Sequence, residues 1–256
     1  VLLWAEQGIG DEIMFASIIQ DLHASCSKLI VQIDERLITL FERSFPNSID
    51  FRPTGVPILE TEYDAHIPIG SLPQHFRQTT DSFKSTSHGW LFACDEKVSD
   101  LRKKILPDTT QTLIGISWHS TNPKIGVRNK LVTLTQLAKR LHAPGVKLVN
   151  LQYGDVDAEL EDLRKNCGID VVQVSEIDNK NDIDGLSPLI MACDKVVSIS
   201  NVTIHLAGAL GKEAHVLLAS SCDWRWGRKR NSVWYDTVRL HRQTKFNDWE
   251  SVLKQL

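Results

Sequence analysis

Strand-like and helix-like patterns alternate along the whole chain. Apolar, β-branched runs such as Leu29–Ile33 and Ala214–Leu218 are typical of strands that are buried on both faces. Between such runs lie segments whose apolar residues recur at helical spacing, for example residues 12–24 and 35–45. Buried strands that are separated by helices predict parallel sheets covered by helices on both sides.

A polar, turn-rich stretch at residues 107–112 interrupts this alternation, and the pattern restarts after it. We therefore predict an α/β protein with two Rossmann-like domains whose parallel sheets face a cleft. The N-terminal domain is expected over residues 1–107 and the C-terminal domain over residues 108–256. In this arrangement the last helix of the chain can pack back on the N-terminal domain.

Bulk properties argue against two classes of partner. The formal net charge of -3 gives no basis for nucleic-acid binding, which needs a concentrated basic surface. No apolar run approaches the roughly 20 residues that span a bilayer, so no membrane span is expected. Without an export signal, the expected location is the cytoplasm. The chain begins at Val1 inside an apparent strand, which suggests a piece of a longer protein, although a processed chain would look the same.

The first candidate for chemistry is the glycine turn that follows the first strand. Gly8 and Gly10 let a ligand approach the backbone, and Gln7 and Asp11 flank them. Asp11 follows the carboxyl end of the first strand, the edge at which open α/β sheets bind ligands. In the alternative interpretation, the glycines only make the turn and Asp11 caps the helix.

The second candidate is the polar turn between residues 198 and 203, which leads into a helix of small residues. Ser200 and Asn201 end the strand, and the N–H groups at the helix start would suit a diphosphate. Thr203 is expected to cap the helix or to touch a phosphate oxygen. His205 is expected to donate to a phosphate or to a sugar hydroxyl, unless it is a structural histidine of the core.

Two further segments carry cations and aromatic rings. The loop after residues 115–120 contains Lys124 and Arg128, which can neutralise phosphate or can simply be solvated. Trp224 and Trp226 flank Arg225, an arrangement that can stack a base, wall a sugar pocket or wedge two domains together. Neither a histidine pair nor paired carboxylates have metal-ligand spacing, so we expect no metal site.

Taken together, eight segments resemble a known domain over almost the whole chain. They are residues 4–15, 70–73, 115–118, 151–154, 182–186, 205–211, 223–227 and 248–249. The sequence resembles the glycosyltransferase-type domain that lies C-terminal to tetratricopeptide repeats in many bacterial proteins. That domain is similar to the lipopolysaccharide heptosyltransferases of glycosyltransferase family 9, and more distantly to the O-linked N-acetylglucosamine transferases, all of the GT-B type.

The resemblance implies a metal-independent, inverting glycosyltransferase that needs no cofactor beyond its nucleotide-sugar donor. The acceptor, a glycan, a lipid-linked sugar or a protein, would bind the N-terminal domain, and Asp11 matches the proposed general base. The residues expected at the donor and its phosphates are Ser200, Asn201, Thr203, His205, Lys124, Arg128 and Gln152. Those expected in the sugar and acceptor cleft are Gln7, Gly8, Gly10, Trp118, Trp224, Arg225 and Trp226.

One departure from the resembled family concerns Ser200, which stands where an acidic residue is usual. A carboxylate there would hold sugar hydroxyls, so the serine leaves the donor sugar and the activity itself open. Two other functions therefore stay open beside transfer. One is a catalytically silent module that binds a nucleotide, a glycan or a protein, and the other is a nucleotide-sugar epimerase on the same scaffold. An upstream tetratricopeptide-repeat module is a further expected partner.

Overall fold

The computed structural model describes residues 1–107, 110–120, 132–221 and 223–256, and within them lie two sheets whose strands all run parallel. The N-terminal sheet has the order β3-β2-β1-β4, and Leu3 in its centre is paired with Val31 and Ile67. Its strands are Leu2–Trp4 (β1), Leu29–Ile33 (β2), Ile49–Pro53 (β3) and His66–Pro68 (β4).

The C-terminal sheet has the order β10-β9-β8-β5-β6-β7, and Ile116 in its centre is paired with Asn150 and Val197. Its strands are Thr112–Ser117 (β5), Val146–Asn150 (β6), Val171–Val172 (β7), Lys195–Ile199 (β8), Ala214–Leu218 (β9) and Val238–Arg242 (β10). The central strands are buried along almost their whole length, as expected for a sheet with helices on both faces.

Ten described helices connect these strands. They are Ile9–Phe15 (α1), Ile19–His23 (α2), Ile38–Ser44 (α3), Leu72–Phe76 (α4), Asp95–Ile105 (α5), Leu134–Leu141 (α6), Asp157–Cys167 (α7), Ile183–Ala192 (α8), Val202–Ala209 (α9) and Trp249–Leu253 (α10). A 3-10 turn at Ala16–Ile18 divides the first helix predicted near the N-terminus, and another at Glu35–Leu37 forms the start of the second.

Local sequence accounts for several helix ends. Thr133 caps α6 because its hydroxyl accepts from the backbone N–H of Gln136, whose side chain reaches back to the cap. Asp182 caps α8 in the same way, through the N–H of Gly185. α7 ends where Gly168 takes a left-handed conformation with φ of 65°, which glycine adopts without steric cost.

The predicted fold class, two parallel α/β sheets, is confirmed. One hydrophobic core runs through both halves, because α1 of the N-terminal half packs against α9 of the C-terminal half. A second core lies within the C-terminal half alone. The predicted division at residues 107 and 108 stays a prediction, although α5, which precedes it, packs against α8.

The last helix, which the sequence allowed to pack back on the N-terminal domain, joins the core of the C-terminal half. α10 contributes Trp249, Val252 and Leu253 to that core. Arg140 of α6 holds its end by donating to the carbonyl oxygen of Leu253 at 2.8 Å. The physical reason is that β10 leads straight into this helix at the edge of its own sheet.

In the part of the chain that the structure describes, none of the helices has both the length and the apolar character needed to cross a membrane.

Candidate functional site

A cleft with a volume of about 340 Å3 lies where the carboxyl ends of four strands meet. The glycine turn after β1 forms one wall, and the start of α9 after β8 forms the other. The described residues that line it are Gly8, Ile9, Gly10, Asp11, Ser120, Tyr153, Ser200, Asn201, Val202, His205, Asp223 and Arg225. Both halves of the molecule therefore contribute to one pocket, at the edge where parallel sheets bind ligands.

Asn201 fixes the wall that α9 provides. Its side-chain oxygen caps the helix by accepting from the N–H of Thr203 at 3.1 Å and also accepts from Ser198 at 3.0 Å. Its amide nitrogen donates to Ser117 at 2.7 Å and to the carbonyl oxygen of His119 at 3.4 Å. Asn201 therefore ties the ends of β5 and β8 together beneath the helix start.

Gln152 performs the same task for β6. Its side-chain oxygen accepts three hydrogen bonds, from the hydroxyl of Ser117 and the N–H of Trp118 at 2.9 Å and from the N–H of His119 at 3.0 Å. The residue is buried and does not line the cleft. Its oxygen therefore shapes the floor of the site from inside the protein.

His205 sits in the first turns of α9, buried between two aromatic side chains. Its Nδ1 shares a hydrogen bond of 2.8 Å with the hydroxyl of Tyr235, and its ring stacks on Trp226 at 5.2 Å. Burial, with a smaller contribution from the charge of Arg225, lowers the pKa of His205 to about 3. At neutral pH the imidazole is therefore uncharged and can offer a hydrogen bond but no cation.

A charged bridge crosses the cleft from one half of the molecule to the other. The guanidinium of Arg225 is paired with Asp11 through Nε and with Asp223 through Nη1. Burial alone would lower the pKa of Arg225, but the hydrogen bond and charge of Asp11, together with Asp223, raise it overall. The side chains of Arg225 and Asp11 are only 16% and 13% exposed, so the pair is largely shielded from solvent.

The three predicted tryptophans occupy different surroundings. Trp118 is buried in the C-terminal core and donates to Glu159 at 2.9 Å, away from the cleft. Trp226 is buried and donates to the hydroxyl of Ser200 at 2.8 Å. Trp224 is 60% exposed and lies beside the cleft, where its ring stacks on Phe15 of the N-terminal half.

Seven of the predicted site residues are brought together in the cleft: Gly8, Gly10, Asp11, Ser200, Asn201, His205 and Arg225. Six others lie outside its lining: Gln7, Trp118, Gln152, Thr203, Trp224 and Trp226. Thr203 is buried, and its hydroxyl donates to the carbonyl oxygen of Leu151 at 3.4 Å, while Gln7 is exposed and donates to Glu6. Lys124 and Arg128 lie outside the described residues.

Three polar lining residues were not among the predicted ones: Ser120, Tyr153 and Asp223. Ser120 follows β5 and Tyr153 follows β6, and the tyrosine hydroxyl lies 3.4 Å from the serine hydroxyl. The signal that would have found them is positional. Polar residues just beyond the carboxyl ends of the strands gather at the same edge of a parallel sheet.

A second polar cavity, with a volume of about 820 Å3, opens at the carboxyl ends of β2 and β3. Asp34 and Thr54, which directly follow these strands, line it together with Glu35, Arg36 and Asn181. Arg36 is paired with Asp34 at 2.7 Å and donates to the carbonyl oxygen of Lys180 at 3.0 Å, so this cavity also lies between the two halves.

Among the described residues, no group of three or more His, Cys, Asp or Glu side chains has the arrangement of a metal site.

The chain is similar in sequence to a curated protein and similar in fold to several solved structures. No known family model matches the sequence. The chain is 28% identical to Protein FlbA of Caulobacter vibrioides over 268 residues, which cover 99% of this chain and 45% of that protein. The chain thus spans less than half the length of the curated relative that it matches.

Two solved structures of similar fold extend over nearly the whole chain. The ADP-heptose lipopolysaccharide heptosyltransferase II of E. coli aligns with a TM-score of 0.64 at 13% identity, covering 99% of this chain and 98% of that one. The glycosyl transferase family 9 protein of Veillonella parvula aligns with a TM-score of 0.65 at 11% identity, covering 99% and 90%. The chain therefore has the α/β fold, with parallel sheets, of these glycosyltransferases.

Proposed function

We propose that the chain is a glycosyltransferase that moves a sugar from a nucleotide-sugar donor to an acceptor hydroxyl. The observation that carries this proposal is the cleft, across which the glycine turn with Asp11 faces the start of α9. The likeness in fold to a heptosyltransferase named for ADP-heptose supports a nucleoside-diphosphate sugar as the donor. ADP-heptose is therefore the first donor to test.

In the proposed reaction, the acceptor oxygen attacks the anomeric carbon of the donor sugar. The bond from that carbon to the diphosphate oxygen breaks, and the nucleoside diphosphate leaves with the electron pair. The carboxylate of Asp11 takes the proton of the acceptor hydroxyl, which is the role of a general base. Attack opposite to the leaving group inverts the anomeric carbon.

The C-terminal wall of the cleft would hold the diphosphate. The N-terminus of α9 offers N–H groups and the positive end of the helix dipole, which stabilise negative charge without a metal ion. Ser200 and Asn201 lie at this point, and His205 would contribute a hydrogen bond as a neutral imidazole. Lys124 and Arg128, which lie outside the described residues, are proposed to add positive charge.

The N-terminal wall would bind the acceptor. The polar cavity at the ends of β2 and β3 offers a carboxylate, a guanidinium, a hydroxyl and an amide, which suit a molecule rich in hydroxyl groups. A glycan, a lipid-linked sugar and a glycosylated protein share that chemistry. The length of Protein FlbA, more than twice the part matched here, is consistent with a further module that recruits the acceptor, for which we propose tetratricopeptide repeats.

A second candidate function is a catalytically silent module that binds the same class of ligand. Two contacts favour it. The carboxylate of Asp11 is already engaged by Arg225, and the hydroxyl of Ser200 is already engaged by Trp226. Donor-dependent transfer to any acceptor would exclude this alternative.

Thermal unfolding of the pure protein with nucleoside diphosphates and their sugar conjugates tests the proposal. A ligand that binds only the folded state raises Tm by mass action, so a selective shift identifies the base. The shift should fall in His205→Gln and persist in His142→Gln, a control at an exposed histidine. If no nucleotide moves Tm of the folded protein, the proposed function is wrong.

Turnover then tests the proposed base. With the donor identified by binding, Asp11→Asn should lose nearly all transfer while still binding the donor. Unchanged turnover in this variant would show that another group takes the proton.

A further inference from the structure

The bridge formed by Asp11, Arg225 and Asp223 has consequences for how the cleft can receive a donor. Arg225 is the one cationic side chain among the described residues that line the cleft, and both of its recorded partners there are carboxylates. His205 adds no charge, because burial keeps it neutral. The described lining thus carries two negative charges and one positive charge.

A nucleoside diphosphate that enters this cleft meets two carboxylates. Its own negative charge is repelled by both unless a cation turns toward it. The guanidinium is suited to that move, because its planar fork binds phosphate oxygens as well as it binds carboxylate oxygens. It lies over the ring of exposed Trp224, 5.1 Å from the ring centre, so the ring can guide it without blocking it.

The same move changes Asp11. In the present state, one carboxylate oxygen of Asp11 accepts a hydrogen bond from Nε of Arg225, and the side chain is largely covered. Nε of Arg225 therefore competes with an acceptor hydroxyl for this oxygen. When Arg225 turns to the diphosphate, that oxygen becomes available.

We propose that Arg225 couples donor binding to the release of the base: it holds Asp11 in the empty site and transfers to the diphosphate when the donor binds. This inference rests on the proposed function and adds an order to it. The donor binds first, and the released oxygen of Asp11 then takes the acceptor proton. An empty site is thereby kept inactive by a contact between the two halves of the molecule.

Calorimetric titration with ADP, UDP, GDP and CDP tests the coupling without turnover. In wild type, part of the binding free energy is spent on breaking the pair with Asp11. Asp11→Asn removes one of the two carboxylates that hold Arg225, and we expect the preferred diphosphate to bind at least about fivefold more tightly. Arg225→Gln removes the cation, and we expect binding to weaken at least about tenfold, with partial recovery in Arg225→Lys.

The double variant Asp11→Asn/Arg225→Gln separates this coupling from simple repulsion. If Asp11 only repels the ligand, Asp11→Asn improves binding by the same factor with or without Arg225. If Asp11 holds Arg225 back, the improvement disappears in the Arg225→Gln background. Asp11→Ser repeats the test with a second side chain, and circular dichroism confirms that each variant is folded.

The outcomes distinguish the two proposals. Diphosphate binding with an Arg225-dependent gain in Asp11→Asn supports the coupling. Binding that is unchanged or weakened in Asp11→Asn, or a gain that survives in the double variant, overturns the coupling and leaves the proposed function standing. No binding of any of the four diphosphates to wild type overturns the proposed function and the coupling with it.

Discussion

Glu12, the neighbour of the proposed base, is a carboxyl group that the fold has taken almost entirely out of water. It is 4% exposed, and its Oε2 accepts from the N–H of Asp34 at 2.8 Å. Burial raises the pKa of Glu12 to about 7, with the charge of Asp34 adding to the effect, while the hydrogen bond acts against it.

Stability should therefore depend on pH through this residue, against the opposite contribution of His205 and His241, whose pKa values burial lowers. Because the folded-state pKa of Glu12 lies above its ordinary value of 4.5, the folded protein holds the proton more tightly than the unfolded chain. The resulting stabilisation is complete below pH 4.5 and is lost as the pH rises through 7. From the pKa difference, its upper limit is about 3 kcal/mol.

Urea unfolding at a series of pH values measures this effect. Relative to wild type, Glu12→Gln, which keeps the acceptor for the N–H of Asp34, should lose less stability, or gain more, as the pH rises from 5 to 7.5. Glu42→Gln, at an exposed position, is the matched control and should leave the slope unchanged. A wild-type slope that survives in Glu12→Gln would assign the pH dependence to other groups.

His205 offers a second prediction at this scale. Burial raises the pKa of Tyr235 well above its ordinary value, so its hydroxyl stays protonated and bonded to Nδ1 of His205. Tyr235→Phe leaves that buried nitrogen without its partner, and we expect a loss of about 1–3 kcal/mol in the free energy of unfolding. Tyr63→Phe, on the N-terminal half, is the control. An equal loss in both variants would show that the hydrogen bond to His205 carries no special weight.

The polar residues show where sequence-based prediction of the site ends. Ser200 and Asn201 were selected by their positions at a strand end, and Gln152 by the resemblance to the glycosyltransferase-type domain. Their side-chain directions were not predictable, because the side chains of Asn201 and Gln152 form hydrogen bonds with other buried groups of the protein. A strand-end position predicts proximity to the cleft, and only packing decides which side chains face it.

At the scale of elements, α9 depends on small residues for its close approach to its surroundings. A Cβ at Gly208 would come within 2.4 Å of the Tyr235 ring, and a Cβ at Gly10 would come within 3.1 Å of the His205 ring. Gly8, in contrast, has no atom within 4 Å of the corresponding point. Close packing therefore requires a glycine at position 208, leaves little space at Gly10, and places no such limit on Gly8.

Alanine substitutions should follow that order. Gly208→Ala forces the buried Tyr235 ring to move, and we expect a loss of at least about 1–3 kcal/mol in the free energy of unfolding. Gly8→Ala, with space and a negative φ, should cost less than about 1 kcal/mol. Chemical denaturation of both variants measures the difference. Equal losses would mean that the Tyr235 ring moves aside at little cost and that lack of space does not select glycine at Gly208.

The elements themselves were predictable in proportion to their burial. Leu29–Ile33 and Ala214–Leu218, which are strongly apolar, were predicted with the bounds they have in the structure. The strands Ile49–Pro53 and Val238–Arg242 were missed, because both are edge strands in which charged residues alternate with apolar ones. Such a pattern over five residues differs little from that of a loop.

At the scale of the whole molecule, a segment of the N-terminal half that contains Ser85, Thr86 and Trp90 packs against the C-terminal half. Asp236 accepts from the hydroxyl of Ser85 and from the N–H of Thr86, both at 2.7 Å. Trp90 stacks on Tyr235 at 5.4 Å, and its backbone N–H donates to the carbonyl oxygen of Ala209 at 2.8 Å. Two sheets that are joined in this way share one core and hold the two walls of the cleft in register.

Because of this shared core, the two halves should unfold together. We expect one cooperative transition in urea, with coincident curves from far-ultraviolet circular dichroism and tryptophan fluorescence. Asp236→Ala removes the acceptor for two hydrogen bonds. It should lower the free energy of unfolding by about 1–3 kcal/mol, and with it the urea midpoint, while keeping a single transition. Asp64→Ala, at an exposed position of the N-terminal half, is the control.

Two separated transitions in wild type would instead mean that each sheet is stable alone. The contacts of Ser85, Thr86 and Trp90 would then not couple the unfolding of the two halves. The distinction bears directly on the proposed coupling by Arg225. If the halves form one cooperative unit, the guanidinium can turn without opening the cleft, since the packing of α1 on α9 persists. If they unfold separately, loss of the pair with Asp11 would also loosen the two walls. In that case Asp11→Asn would lower the midpoint of only one transition, which the same urea titration resolves.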